Sequence, residues 1–296
     1  MKKLIALLMA ALLVFAFAGC TKTPDDGTST EPDANNSANV NAGANAKPDA
    51  DDDNKDETVD PNSDLGYVLK KGTLVVGITD FAPMDYEDEN GNWIGFDADM
   101  ATAFAKELGV EVEFVEINWG NKALELSNKS IDVVWNGMTL TDEVKSSMDC
   151  SNAYCNNAQV VVVKASEADK YQTAEACKDL NFAVEKGSAG KEMAEENNFK
   201  FTEVKDQATA LSEVKAGTSD AAIIDSLMAA AMVGEGTGFA DLTYTAKLNS
   251  EEYGVGFRKG SNLVEKLNQF FKDSYADGTM QALAEEYGVQ AALIAQ

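Results

Sequence analysis

The sequence predicts an α/β protein whose sheets are parallel and carry helices on both faces, in one large domain or two small ones. Three observations predict it. Apolar runs rich in β-branched residues alternate with amphipathic stretches of helical spacing along residues 65–296. Repeated β–α units of this length imply parallel strands joined by crossover helices. A body of some 230 residues with an ordinary apolar fraction is ample for a buried core.

The elements follow in order. “TLVVGIT” (73–79) reads as a buried strand. “GFDADMATAFAKELG” places Phe96, Met100, Ala103, Phe104 and Leu108 on one helical face, with Asp97 expected as cap and Gly109 as stop. Strand 112–117, helix 121–130 and strand 131–135 come next. Asn136-Gly137 is expected to break that last strand, and Thr141-Asp142-Glu143 suits the start of a helix. A second series comprises strands 158–164, 182–187, 200–204 and 221–225, with helices 189–198, 207–217 and 226–233. Strand 253–260, helix 262–278 and a helix from about Thr279 complete the chain.

The amino-terminal segment is a different material. “MKKLIALLMAALLVFAFAGC” joins two lysines to an apolar run ending in small residues, the pattern of a secretory signal peptide over 1–19. Residues 21–64 contain no aromatic residue and only Val40 and Val59 as large aliphatics. Such a segment buries too little to offset its ordering entropy and is expected to be a disordered tether. Its end-to-end distance as a coil would be roughly 35–40 Å. “DADDD” (49–53) fits a solvated spacer better than a calcium loop, which needs a fixed turn and spaced ligands.

Charge and composition exclude several functions. The chain carries −26, and removing the tether's −9 and the two lysines at positions 2 and 3 leaves −19 on the body. Nucleic acid and anionic lipid are therefore poor partners. With no histidine and a single arginine, Arg258, imidazole-based triads and zinc sites are excluded. No metal or cofactor motif is present. Cys150, Cys155 and Cys177 are an odd set that reads as buried small hydrophobes, and a Cys150–Cys155 bridge has no support in the sequence.

Open sheets bind ligands beyond the carboxyl ends of their strands. The candidate residues there are Asp80 and Phe81 after the first strand, Trp119 after the second, and Asn136, Gly137 and Thr139 after the third. Asp225 ends “AAIID”, and Gly187-Ser188-Ala189 leads into a helix whose free N–H groups suit an anion. Each has a plainer reading alone: Asp225 as a helix cap, Trp119 as a core anchor, Gly187-Ser188 as a tight turn.

The pieces “GTLVVGITDFAPMDYEDENGNWIGFDADMATAFAKELGVEVEFV”, “KSIDVVWNGMTLTDEVKSSMDCSNAY”, “FAVEKGSAGKEMAEEN”, “LSEVKAGTSDAAIIDS” and “EYGVGFRKGS” make the body resemble the extracellular solute-binding proteins of ATP-driven importers, polar amino-acid type. Ala18-Gly19-Cys20 resembles a lipobox, with Phe17 where Leu is usual, and implies lipidation of Cys20. The resemblance implies a two-lobed periplasmic-binding-protein-like fold of type II. Lobe 1 would be 65–157 with 256–296 and lobe 2 would be 158–255, with crossovers near Asn156–Gln159 and Tyr253–Gly256. It implies a monomer on the outer face of the cytoplasmic membrane, delivering an amino acid or related amine to an ABC permease with its ATPase.

The resemblance also assigns roles. Phe81 and Trp119 would wall the ligand, Asn136, Gly137 and Thr139 would give backbone and hydroxyl contacts, and Ser188 with the Ala189 amide would hold a carboxylate. Asp225 would accept from an α-ammonium, and Asp80 joins the set on a segment shorter than the family's loop. One position departs. Where the family has Thr-x-Glu-Arg, with arginine gripping the α-carboxylate, this chain has Thr141-Asp142-Glu143-Val144. Either the carboxylate is held differently, with Lys145 or Lys122 as substitutes, or the ligand lacks one. Two other readings remain: a cyclohexadienyl-dehydratase-like enzyme, for which Glu185 and Glu87 are the available acids though each reads as a surface carboxylate, and a ligand-sensing surface lipoprotein.

Overall fold

The computed structural model describes residues 59–296. The expected signal peptide, Cys20 and most of the tether lie outside these residues. The first element is helix α1 (Asp64–Lys71), capped by the Ser63 hydroxyl, which accepts from Gly66 N–H at 3.1 Å, and ended by Gly72 at φ 78°. The expected tether ran through residue 64. Its last residues instead join the body, because Asp64 pairs with Arg258 Nε at 2.9 Å.

After α1 the chain forms β1 (Thr73–Ile78), a small hairpin of β2 (Tyr86–Glu87) and β3 (Trp93–Ile94), and α2 (Phe96–Leu108). β4 (Glu111–Glu116), α3 (Lys122–Ser127), β5 (Val133–Thr139) and α4 (Asp142–Ser147) follow, then the short strands β6 (Asp149–Cys150) and β7 (Cys155–Asn157). The second series is β8 (Gln159–Lys164), β9 (Asn181–Glu185), α5 (Ala189–Glu196), β10 (Lys200–Val204), α6 (Gln207–Ala216), β11 (Ala221–Asp225), α7 (Ser226–Met232) and β12 (Leu242–Lys247). β13 (Glu251–Phe257), α8 (Leu263–Asp277) and α9 (Thr279–Glu286) return to the first series.

Two sheets result. The first has the order β4-β1-β5-β13-β6, with β7 also on β13, and the second β10-β9-β11-β8-β12. β4, β1 and β5 are parallel, as are β10, β9 and β11. Both sheets are mixed rather than parallel throughout, because β13 runs antiparallel to β5, and β8 runs antiparallel to β11 and β12. The strands that carry the chain between the sheets are these antiparallel ones.

Ala158 is the single residue between β7 in the first sheet and β8 in the second. The return crossing occupies residues 248–250, not Tyr253–Gly256 as the sequence led us to expect. Tyr253 already pairs with Thr139 inside the first sheet. The glycines there serve close packing: a Cβ on Gly254 would fall 2.6 Å from Leu140 Cδ2, and one on Gly256 2.8 Å from Met148 Sδ.

Apolar layers cover both faces of each sheet. In the first lobe, Phe96, Met100, Phe104, Trp135, Phe270 and Phe271 pack on one side, and Val75, Ile117, Leu126, Val134 and Met148 on the other. Val160, Ala210, Leu211 and Val214 form one layer of the second lobe, and Val161, Phe182, Val184 and Phe199 the other. Cys150, Cys155 and Cys177 are all free thiols.

Candidate functional site

The ends of β1, β4 and β5 face the ends of β9 and β11 across a narrow cleft. The first lobe contributes Thr79, Phe81, Trp119, Lys122, the β5 end from Asn136 to Thr139, and Thr141 and Val144 at the start of α4. From the second lobe come Glu185, Gly187, Ser188, Ala189, Glu192, Gln207 and Asp225. Phe81, Trp119, Asn136, Gly137, Thr139, Ser188, Ala189 and Asp225 are thus brought together. Asp80 is not among the lining residues and is exposed. Backbone alternation explains it: Thr79 turns inward, its N–H and hydroxyl both donating to Asn136 Oδ1, so its successor turns out.

β5 runs through the expected break at Asn136-Gly137 to Thr139. Gly137 takes φ 51° and donates its N–H to Asp97 Oδ2 at 2.6 Å. A Cβ on Gly137 would sit 2.2 Å from Phe81 Cε1, so only glycine lets that ring close the cleft floor. Asp97 was expected to cap α2. The cap position is Gly95, and Asp97 is buried beneath the site, also accepting from Tyr154 OH at 2.7 Å. Burial raises its pKa to about 7, against the pull of those hydrogen bonds.

Several predicted contacts turn out to be occupied within the protein. Asn136 Nδ2 donates to Thr79 O at 3.0 Å and Asp85 Oδ2 at 2.7 Å, so its side chain ties β5 to the β1 loop. The Thr139 hydroxyl donates to Glu251 Oε1 at 2.9 Å. Ser188 Oγ caps α5, accepting from Lys191 N–H at 3.2 Å and donating to Glu185 O at 2.8 Å. What remains for a ligand at α5 is the N–H groups of Ala189 and Gly190, which have no intrahelical acceptor.

Asp225 stands at the cap position of α7 but makes no cap bond. Its Oδ1 accepts from Asn157, from Gln159 Nε2 at 3.0 Å and from Tyr253 OH at 2.8 Å. Oδ2 accepts only from Gln207, which leaves that oxygen a second acceptor direction. Burial first, and then the Glu251 carboxylate, raise the Asp225 pKa to about 7.

No arginine reaches the cleft. Val144 is 5% exposed, packs in the apolar layer beneath it, and gives its N–H to the Thr141 cap at 3.2 Å. Lys145 is exposed and does not line the cavity. Among the described residues the one cationic side chain lining it is Lys122, whose Nζ lies 4.8 Å from the Trp119 ring centroid and donates to Gly187 O at 2.8 Å. Burial lowers its pKa, opposed by Glu185, Glu143 and Glu192.

Glu185 is the residue that sequence reading misjudged. It is no surface carboxylate: it is 4% exposed, lines the cleft, and its Oε1 has no partner. Burial, then Asp225, push its pKa to about 8, against the pull of Lys122. The signal available was its place as last residue of a buried strand, two before Gly187-Ser188. Glu87, the other acid considered, is exposed on β2.

The lobes touch over the cleft. Besides Lys122 and Gly187, Lys205 Nζ meets Glu116 Oε1 at 2.7 Å, and a Cβ on Gly187 would lie 2.8 Å from Gly120 Cα. Among the described residues no cluster of potential metal ligands occurs, and no helix is long and apolar enough to cross a membrane.

Two lobes joined by two crossings, with a polar pocket at their strand ends, define a protein that closes around a small solute. The chain belongs to the bacterial extracellular solute-binding proteins, family 3, whose sequence model matches residues 74–290. It is 30% identical to the L-cystine-binding protein TcyJ of Escherichia coli K12, over 75% of this chain and 85% of that one. Against the arginine-binding extracellular protein ArtP of Bacillus subtilis 168 it is 28% identical, over 76% and 90%. The crystal structure of the ancestral amino acid-binding protein AncCDT-1, a precursor of cyclohexadienyl dehydratase, matches with TM-score 0.70 and 34% identity, over 76% of this chain and 99% of that one.

Proposed function

We propose that the protein captures an α-amino acid in the inter-lobe cleft and presents it, lobes closed, to an ABC permease with its ATPase. The observation that carries this reading is the pair of opposite charges facing one cavity, Asp225 from the second lobe and Lys122 from the first. The free acceptor direction of Asp225 Oδ2 takes the α-ammonium as a charge-assisted bond. Lys122 and the first N–H groups of α5 take the α-carboxylate, replacing the arginine that Val144 displaces. Because these groups come from different lobes, a ligand bridging them favours the closed form over the open one.

Lys122→Ala tests the carboxylate assignment. Titrated with a bound L-amino acid, the variant should lose at least about thirtyfold in affinity, the worth of a buried charge-assisted contact. The matching decarboxylated amine should bind both proteins alike. Equal losses for both ligands would contradict the assignment.

Anchoring through lipidated Cys20, with the acidic segment as spacer at the outer face of the cytoplasmic membrane, is part of the same proposal and rests on the sequence. Cell fractionation of a Cys20→Ser variant checks it: release from the membrane fraction supports the anchor, retention refutes it. A second reading has one observation in its favour. A buried, protonated Glu185 is a suitable general acid for a dehydratase on this fold; loss of a prephenate-like compound on incubation would establish it.

A further inference from the structure

Glu185 is the buried group for which the capture of an amino-acid head group leaves no use. That holds given the proposed function, in which Asp225 and Lys122 hold the ammonium and carboxylate. Those two charges then neutralise one another through the ligand. Glu185 stays inside the closed cleft with Oε1 unpartnered. The groups facing it are Lys122 of α3, Asp225 of β11, and Asp206 and Gln207 at the start of α6. Glu192 of α5 adds a further carboxyl to the same wall.

A ligand with an apolar side chain would bury Glu185 against hydrocarbon and leave that oxygen orphaned, which is costly. A cationic side chain removes the problem. β9 and β11 are neighbouring parallel strands, and Glu185 and Asp225 are their last residues. Both carboxyls line the one cleft, and the Asp225 charge acts directly on Glu185, so the pair is within reach of the two nitrogen-bearing ends of one small molecule. Phe81 and Trp119, from the opposite lobe, supply the aromatic faces that favour a cation.

We propose that Glu185 is a specificity-determining residue that pairs with a guanidinium or ammonium at the end of the ligand's side chain, so that the solute is a basic α-amino acid. The free carboxyl holds a proton near neutrality, since its pKa is pushed to about 8. Pairing with a cation requires that proton to leave. Affinity for a cationic ligand therefore rises between pH 6 and pH 8, with proton release on binding.

The test uses the full chain and two ligands of the same shape, L-arginine and its neutral isostere L-citrulline, titrated calorimetrically into wild type and Glu185→Gln. Glutamine keeps the size and removes the charge. Wild type should prefer arginine by about a hundredfold, the scale of a buried charge pair. The variant should bring the ratio close to one and lower the proton release by the share that Glu185 contributes, leaving that of Asp225, as measured in two buffers of different ionisation enthalpy. An unchanged ratio in the variant, or equal affinities in wild type, would overturn the proposal. Should L-glutamine or another neutral amino acid bind wild type while arginine does not, the proposal falls and the amino-acid reading stands. If no amino acid binds wild type, both fall.

Discussion

Asp225 takes hydrogen bonds from Asn157, Gln159, Gln207 and Tyr253, and that crowding decides which substitution is informative there. Asp225→Ala would strand the buried Gln207 amide and Tyr253 hydroxyl, leave Asn157 and Gln159 with Glu251 alone, and lower stability along with binding. Asp225→Asn keeps the shape and one acceptor oxygen and removes the charge, so it should weaken an amine ligand by about a hundredfold at a smaller cost to the fold than alanine. At this scale the sequence was legible near the carboxyl ends of the strands: Asp225, Phe81 and Gly137 all line the cleft. It was illegible where tertiary partners decide. Nothing in the sequence says that the Asn136 and Thr139 side chains are committed to Asp85 and Glu251. Nor does it say that Arg258 stays out of the cleft lining. That arginine pairs with Asp64 and Asp132 and donates to Ile131 O at 2.8 Å, fastening α1 to the first sheet.

β5 shows how an element is fixed by one residue's backbone. Its run from Val133 to Thr139 keeps strand pairing through a glycine at φ 51° because Asp97 holds that N–H and Phe81 fills the space over it. Gly137→Ala should therefore cost about 1–3 kcal/mol or more, from strain and from the displaced ring. Denaturant unfolding measures the loss, and a variant as stable as wild type would refute this account of the strand. The long strands and helices were legible because their periodicity is strong. β6 and β7, two and three residues long, and the hairpin β2–β3 were not. Such short strands exist only through pairing with partners distant in sequence, and no local pattern marks them. The same cause hid the antiparallel course of β8 and β13: a run of valines looks alike in either direction.

The whole molecule stores several carboxyls whose charge is suppressed by folding. Asp97 and Asp225 are raised to about 7, Glu185 to about 8, and Asp85 also rises through burial and the neighbouring Asp97. In the unfolded chain these groups have pKa values near 4, so the folded state binds more protons between pH 4 and pH 8. Their contribution to stability is complete below about pH 4 and is lost as pH rises through 7 and 8. Without ligand, the melting temperature should fall from pH 5 to pH 8; a flat or rising profile over that interval would contradict the burial described for these groups. A cationic ligand opposes the trend by favouring the ionised forms, so the stabilisation it gives should grow over the same interval.

The most direct measurement is calorimetric titration of the full chain with each of the twenty L-amino acids, repeated with Asp225→Asn for every one that binds. The account predicts binding of at least one in a one-to-one complex, and a loss of about a hundredfold in a variant that still unfolds cooperatively. Failure of every amino acid to bind, or an affinity untouched by the substitution, would contradict it.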